Sequence, residues 1–333
     1  MSLKHYSPFN ASHWKGRTDS HIDEDAFRLH QVVREFDLNR PVKIEFDGVV
    51  FCLLGFASDE GVVRNKGRKG AAEAPIFIRK QLANLPANFI GKALLFDAGN
   101  IDVNENDLEQ AQNDLSKAVQ IILENGMFPL VLGGGHEIVL GHFNGIDAFL
   151  SNSRKSPLII NFDAHFDLRP VSNYGSSGTM FVQIADRMIH DSRNFDYLVV
   201  GLQTYANTKS LYRTADDLGV NYIHSKDILL TNKIPVLNKI LDHIESHEDI
   251  YLTLDFDVLN AANAPGVSAP QPFGMDPEIF LFLVKGILKT GKVRSIDIAE
   301  ISPRYDDDNR TSKLAAVTLF AIMNELINLH RKS

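Results

Sequence analysis

The run Leu158-Ile159-Ile160-Asn161-Phe162 passes directly into Asp163-Ala164-His165-Phe166-Asp167. The first five residues are mostly apolar and β-favouring, and read as a strand buried on both faces. The next five bring in two carboxylates and an imidazole. If the extended alternation continues past Phe162, Asp163, His165 and Asp167 point the same way. Carboxylates gathered at the end of a buried strand repel one another and lose hydration, so the arrangement calls for a cation. A solvated turn with chance acids is the plain alternative, and the apolar flanks argue against it.

The same pattern recurs three times. Phe128–Leu132 leads into Gly133-Gly134-Gly135-His136-Glu137, and Ile250–Leu254 into Asp255-Phe256-Asp257. Val293–Ile298 leads into Ala299-Glu300-Ile301-Ser302-Pro303-Arg304. The glycines permit a tight turn. A phosphate-cradling loop competes for that reading, but the Gly-Lys-Ser/Thr of a P-loop is missing. Taken singly, His136 reads as a packing histidine, Asp-x-Asp as a strand-end cap and Glu300 as a surface acid. Taken together, Asp163, Asp167, Asp255, Asp257, His136 and His165 form a donor set of carboxylate and imidazole without thiolate. Such a set suits Mn²⁺ better than structural zinc. It also exceeds the needs of one ion that keeps an open position, so two ions sharing carboxylates fit better.

Further out, strands are expected near 44–56, 93–97, 128–132, 157–162, 196–201, 220–223, 250–255 and 293–298. Helical periodicity marks Pro75–Asn84, Glu105–Glu124, Ile138–Leu150, Pro235–Ser246, Pro277–Lys289 and Thr311–Leu329. This alternation predicts an α/β fold, a three-layer αβα with a mostly parallel eight-stranded sheet. Ligands of such sheets bind beyond the carboxyl ends of the strands, where the four polar clusters fall. Residues 1–40 are polar and irregular and are expected to form an N-terminal arm packed on a single catalytic domain spanning 41–333. No internal repeat or flexible linker divides the chain.

Composition sets outer bounds. The 333 residues carry 42 acids against 34 Lys and Arg, a formal net charge of −8, with 44% hydrophobic and 23% charged residues. That is globular composition. An acidic balance without a basic block excludes a nucleic-acid binder and disfavours an anionic membrane surface. The one cysteine, Cys52, sits in an apolar run and reads as a buried, inert thiol. No apolar stretch approaches the length of a membrane span, and Met1–Phe9 has no apolar core of a signal peptide, so a cytoplasmic location is expected.

The clusters, in this order, resemble the binuclear manganese ureohydrolases, the family of arginase and agmatinase. The hallmarks Gly-Gly-x-His, Asp-Ala-His-x-Asp and Asp-x-Asp stand at Gly133–His136, Asp163–Asp167 and Asp255–Asp257. The resemblance implies an arginase-like fold and two Mn²⁺ per subunit. His136, Asp163, Asp167 and Asp255 would hold one ion and Asp163, His165, Asp255 and Asp257 the other, with a hydroxide bridging them. It also implies a homo-oligomer. Within the family the details are similar to the branch that hydrolyses N-formimidoyl-L-glutamate to L-glutamate and formamide in histidine degradation. The segments carrying this are Trp14–Arg17, Gly55–Val62, Arg64-Asn65-x-Gly67-Arg68, Asp167-Leu168-Arg169 and Ala264–Pro270. Where arginases and agmatinases place a proton-shuttling histidine, this chain has Ser177, which argues against the alternative, an agmatinase-like or other guanidino hydrolase.

The substrate offers an amidine and two carboxylates. Glu300 is the candidate partner of the amidinium, and Asp167 the candidate proton carrier. Arg169 is the candidate carboxylate partner because Arg presents a planar fork. Arg68 and Ser177 are further candidate contacts, with Arg64 and Arg304 weaker ones.

Overall fold

The computed structural model describes residues 3–103, 105–150 and 156–331. In chain order the strands are β1 Tyr6–Ser7, β2 Arg34–Glu35, β3 Val49–Ala57, β4 Ala93–Asp102, β5 Phe128–Leu132, β6 Leu158–Phe162, β7 Tyr197–Leu202, β8 Asn221–His224, β9 Ile250–Asp255 and β10 Val293–Ala299. They form one sheet in the order β1-β4-β3-β5-β10-β9-β6-β7-β8, with β2 also paired to β4. Strands β3 to β10 are all parallel and match the eight expected. Among the described residues the count rises to ten because two-residue strands of the N-terminal segment, β1 antiparallel and β2 parallel, line the outer edge of β4. Such short strands carry no periodic signal, yet they cover an edge that would otherwise expose unpaired N–H and C=O groups.

The helices are α1 Leu29–Val32, α2 Glu60–Arg64, α3 Ala74–Leu82, α4 Leu108–Glu124, α5 Ile138–Phe149, α6 Met180–His190, α7 Lys209–Asp217, α8 Lys233–Ile244, α9 Pro277–Leu288 and α10 Arg310–His330. One face of the sheet carries α3, α8, α9 and α10, whose Ile78, Ile240, Leu283 and Leu319 share a core with Leu53, Leu130, Ile160 and Leu252. The other face carries α4 to α7, whose Leu115, Phe143, Ile184 and Leu211 share a core with Leu54, Val131, Ile159 and Val199. Strand alternation sends Leu53 and Leu54 to opposite layers, which is why these strands are mainly apolar.

Two expectations need correction here. Helix α10 spans 21 residues and contains an 18-residue window with a mean hydropathy of 1.3, long and apolar enough to cross a membrane by length and composition alone. Its Ala315, Leu319 and Ile322 are instead packed in the core. The acidic run before it, Asp306–Asp308, which reads from the sequence as a solvated loop, is not merely solvated. Asp306 accepts hydrogen bonds from the backbone N–H groups of Thr311 (2.8 Å) and Ser312 (2.9 Å), near the start of α10 where N–H groups lack partners.

Near the start of the chain, Trp14 is buried and its indole N–H donates to Asp97 at 2.7 Å. The same carboxylate receives the buried Arg79 through two bonds of 2.7 and 2.8 Å. Arg17 stays at the surface, paired with Asp19. Cys52 is fully buried, and burial pushes its thiol pKa up.

The sheet order places the site. Strands β5, β6, β9 and β10, scattered in sequence, are four consecutive neighbours in space as β5-β10-β9-β6. The polar clusters that follow them therefore meet at adjacent strand ends.

Candidate metal centre

The glycine loop after β5 is laced to its neighbours. The N–H groups of Gly133, Gly134 and Gly135 donate to the carbonyls of Ile298 (2.7 Å), Phe56 (2.8 Å) and Ser58 (2.9 Å). None of the three is left for a phosphate, so that competing reading fails. A Cβ on Gly134 would lie 1.8 Å from the Ser58 carbonyl oxygen, so the close approach needs glycine. Glu300 N–H donates to the Gly134 carbonyl at 2.8 Å, and Glu300 Oε1 accepts from His136 N–H at 2.8 Å. The first and fourth clusters are thereby locked together.

The other two clusters are gathered by turns rather than by strand alternation. Strand β6 ends at Phe162, and Asp167 sits at φ +50°, so the extended geometry does not continue to Arg169. Asp163 Oδ1 accepts from His165 N–H at 2.7 Å. Asp255 likewise caps the single turn Phe256–Val258 by accepting from Asp257 N–H at 2.8 Å. Short acidic side chains close such turns on the backbone two residues on.

All six sequence-predicted donors meet. His136 Nδ1 lies 3.2 Å from Asp163, 3.0 Å from Asp167 and 3.3 Å from Asp255. His165 Nδ1 lies 3.4 Å from Asp163 and 3.1 Å from Asp257. An octahedral ion with bonds of about 2.1 Å has ligand-to-ligand edges of about 3.0 Å, so these spacings suit hard divalent cations. Two donor groups result, His136-Asp163-Asp167-Asp255 and Asp163-His165-Asp257. Asp163 is the acid they share. Asp255, which the resemblance also places with the second ion, falls only in the first group, its Oδ1 being taken by the Asp257 N–H.

The electrostatics point the same way. Burial, reinforced by Asp257 and Asp163, pushes the Asp255 carboxyl well above its usual range. Burial also raises Asp257. Burial and the Asp163 charge push Asp167 up to about 6, and burial and Glu137 push Glu300 up to about 8. Asp163 goes the other way, because hydrogen bonds from His136 and His165 outweigh burial. Burial opposes charge on both histidines, yet the surrounding aspartates hold both well above the usual imidazole value. A pair of divalent cations would cancel the four carboxylate charges and remove this conflict.

The metal-free protein should respond to pH accordingly. Glu300 moves from 4.5 to about 8 on folding and Asp167 from 3.8 to about 6. The stability held in such raised groups is intact below their unfolded values and drains away as pH rises through the folded ones. Cations bind the deprotonated donors, so their stabilisation grows over the same range. The rise in melting temperature caused by saturating Mn²⁺ is therefore expected to be larger at pH 8 than at pH 6. Thermal scans at both values check this, and an equal or smaller rise at pH 8 would contradict it.

A cavity of about 320 Å³ opens above the donors. Its lining includes His165, Asp167, Asp255, Asp257 and Glu300 on one side of the charge balance and Lys66, Arg68 and Arg169 on the other, with Asn65 and Ser177. Among the described residues none from the first forty lines it. Arg64 is turned to Glu60 and Glu109 and does not line it. Arg304 is absent from the lining as well. Arg68 is partly committed, donating to the carbonyls of Ser268 (2.8 Å) and Val267 (2.6 Å) and stacking on Tyr305. Among the described residues no carboxylate pairs with Lys66 or Arg169. Lys66 escaped the sequence reading, which passed over it as the variable position between Asn65 and Gly67. Its φ of +64° is unusual for a side chain of that size. Glu137 was also passed over. It is fully buried, and its Oε1 accepts from Ser58 Oγ (2.6 Å) and Gly61 N–H (2.9 Å), fixing the loop that enters α2.

An αβα sheet that collects six His and Asp donors beneath an open cavity defines a binuclear metal hydrolase. Residues 50–324 match the model of the arginase family, and the chain belongs to that family. Formimidoylglutamase of Clostridium tetani is 45% identical over 329 residues, covering 98% of this chain and 97% of that protein. Formimidoylglutamase of Bacillus subtilis superposes with a TM-score of 0.78 at 25% identity, covering 93% of this chain and 94% of the other. Formiminoglutamase of Trypanosoma cruzi, solved with Mn²⁺, has the same fold at a TM-score of 0.75 and 23% identity, covering 86% and 96%.

Proposed function

We propose that this enzyme hydrolyses N-formimidoyl-L-glutamate to L-glutamate and formamide with two Mn²⁺, as a step of histidine degradation in the cytoplasm. The observation that carries the reading is the mixed lining of the cavity, which joins the carboxylates of Asp167, Asp255, Asp257 and Glu300 with the cations Lys66, Arg68 and Arg169. A cationic amidine and two carboxylates complement those two signs of charge. Agmatine has no carboxylate and would leave the cations unmet. The names of the relatives point to the same substrate. A homo-oligomer, with residues 1–40 as an arm on the domain of 41–333, completes the proposal.

His136, Asp163, Asp167 and Asp255 would hold one ion, and Asp163, His165 and Asp257 the other. When bound there, the pair supplies Lewis acidity and lets water act as a nucleophile at neutral pH. Glu300 keeps one oxygen on His136 N–H and offers the other to the amidinium, so the substrate is oriented before attack. Arg169 and Lys66 take the carboxylates, with Arg68 and Ser177 as outer contacts. Water oxygen adds to the formimidoyl carbon as the C=N electron pair moves onto the amidine nitrogen; the bond from that carbon to the glutamate nitrogen then breaks as the added oxygen forms the C=O of formamide. Asp167, a donor that also lines the cavity, takes the proton from water and delivers it to that departing nitrogen.

The test is turnover with added Mn²⁺ across formimidoylglutamate, agmatine, arginine and guanidinobutyrate. Formimidoylglutamate is expected to lead the others by at least about 10²-fold in kcat/KM; urea release from agmatine at a comparable rate would overturn the reading. Arg169→Ala and Lys66→Ala are each expected to raise KM for formimidoylglutamate by roughly 10-fold or more while kcat changes little. Unchanged KM in both variants would remove the carboxylate assignment.

A further inference from the structure

Behind His136, away from the cavity, lies a buried polar ladder that the reaction does not touch. Strands β9 and β10 are parallel neighbours, with Tyr251, Thr253 and Asp255 in register with Ser295, Asp297 and Ala299. Alternation places Tyr251, Thr253 and Asp255 on one face of the sheet, the face covered by α5. The top rung is the donor Asp255. The rungs below it, Thr253, Asp297 and Ser295, are polar and fully buried. Burying such groups is unfavourable unless every one is hydrogen-bonded.

The bonds form a chain. His136 Nε2 lies 3.0 Å from Thr253 Oγ, and Thr253 Oγ lies 2.7 Å from Asp297 Oδ1. The other Asp297 oxygen accepts from Tyr251 OH and, at 2.6 Å, from His142 Nδ1. His142 Nε2 closes the chain 2.6 Å from Ser295 Oγ. The direction at the first link follows from counting hydrogens. A carboxylate only accepts, and a threonine hydroxyl has one hydrogen. That hydrogen goes to Asp297, so Thr253 Oγ is an acceptor toward His136 and the hydrogen between them belongs to Nε2. With Nε2–H fixed, the lone pair of the neutral ring sits on Nδ1, the nitrogen facing Asp163, Asp167 and Asp255. Among the described residues no such chain reaches His165, whose ring is partly exposed and pairs with Asp163 and Asp257.

We propose that Thr253 and Asp297, backed by His142 and Tyr251, are positioning residues for one ion of the pair. They fix the tautomer and ring orientation of His136 and so set the affinity of the His136 position, leaving the His165 position untouched. The inference rests on the reading of the six donors as a two-ion site. Partners of this kind, a shell removed from a metal, are worth about 10- to 100-fold in metal affinity.

The experiment is a Mn²⁺ titration of the whole, metal-stripped protein, read by equilibrium dialysis with metal analysis and by the signal of free Mn²⁺, alongside thermal scans. Thr253→Val keeps the shape and removes the hydroxyl. It is expected to weaken one of two ions by about 10- to 100-fold and leave the other at its wild-type affinity. Thr253→Ser, which restores the hydroxyl, is expected to recover both. Asp297→Asn removes the charge directly behind Thr253 and is expected to weaken the same single ion, which keeps the test available if the valine variant fails to fold. Wild-type affinity at both positions in a folded variant overturns the inference, as does parallel weakening of both ions or a serine variant no better than valine. If the wild type itself takes up fewer than two ions, the two-ion reading falls first, and the ladder with it.

Discussion

Asp163→Ala is expected to lose tight binding of both ions and to turn over at least about 10³-fold more slowly than the wild type, since the nucleophile and the Lewis acid vanish together. Asp163 is the acid common to the two donor groups, with one oxygen 3.2 Å from His136 and the other 3.4 Å from His165. Loss of Asp257 or Asp167 removes a donor from one group only. Metal analysis should therefore show Asp163→Ala nearest to zero ions, with Asp257→Ala keeping more. Stability supplies a second and opposite pair of signs. In the metal-free protein Asp163 is held below its usual pKa by two histidines, so at pH 7 it stabilises the fold, and removing it should lower the melting temperature. Asp255 is pushed up by burial and by its neighbours, so Asp255→Ala should raise the metal-free melting temperature even as it abolishes turnover. An Asp163→Ala protein with two tightly bound ions and normal turnover would remove the shared-donor geometry from consideration.

Why these residues converge was only partly legible in the sequence. Most of the eight parallel strands announce themselves because both of their faces are buried, which leaves largely apolar runs such as Leu158–Phe162, while β8 is an exposed to half-buried edge. The donors stand out because acids directly after such runs break the local rule. Their actual geometry does not follow from alternation. Asp167 at φ +50° and Glu300 at φ +63° occupy a backbone region that non-glycine residues seldom adopt, and only tertiary hydrogen bonds hold them there. Helix α7 was missed because just Leu211 and Ala215 are buried in it, too few to set a period. Helix α6 does carry one, with Phe181, Ile184, Ala185 and Met188 buried, but it opens straight out of the turn that holds Gly175 and Gly178 and was not among the expected helices. The ladder behind His136 was invisible for a different reason. Thr253 counts as one more β-branched residue in an apolar strand, and His142 as one residue of an amphipathic helix. Nothing short of strand register brings them to Asp297.

Glu300→Gln separates substrate recognition from metal binding. The amide keeps the shape and retains an oxygen for His136 N–H, now 2.8 Å from Oε1, so the glycine loop and the donors should stay in place. What disappears is the charge that meets the amidinium. Charge-assisted hydrogen bonds are roughly twice as strong as neutral ones, and leaving a buried cation without its partner adds a desolvation penalty. The expected loss is about 10²- to 10³-fold in kcat/KM for formimidoylglutamate, or roughly 3–4 kcal/mol of transition-state stabilisation. Two Mn²⁺ should still bind at wild-type affinity. This combination distinguishes Glu300 from Asp163, whose removal takes both ions with it. The variant should also respond differently to pH. Glu300 titrates at about 8 in the metal-free protein, a value raised by burial and by Glu137. That contribution weakens the metal-free fold as pH rises, so Glu300→Gln should lose less stability between pH 6 and pH 8 than the wild type does. Normal kcat/KM with two bound ions would show that the amidinium is held elsewhere in the cavity.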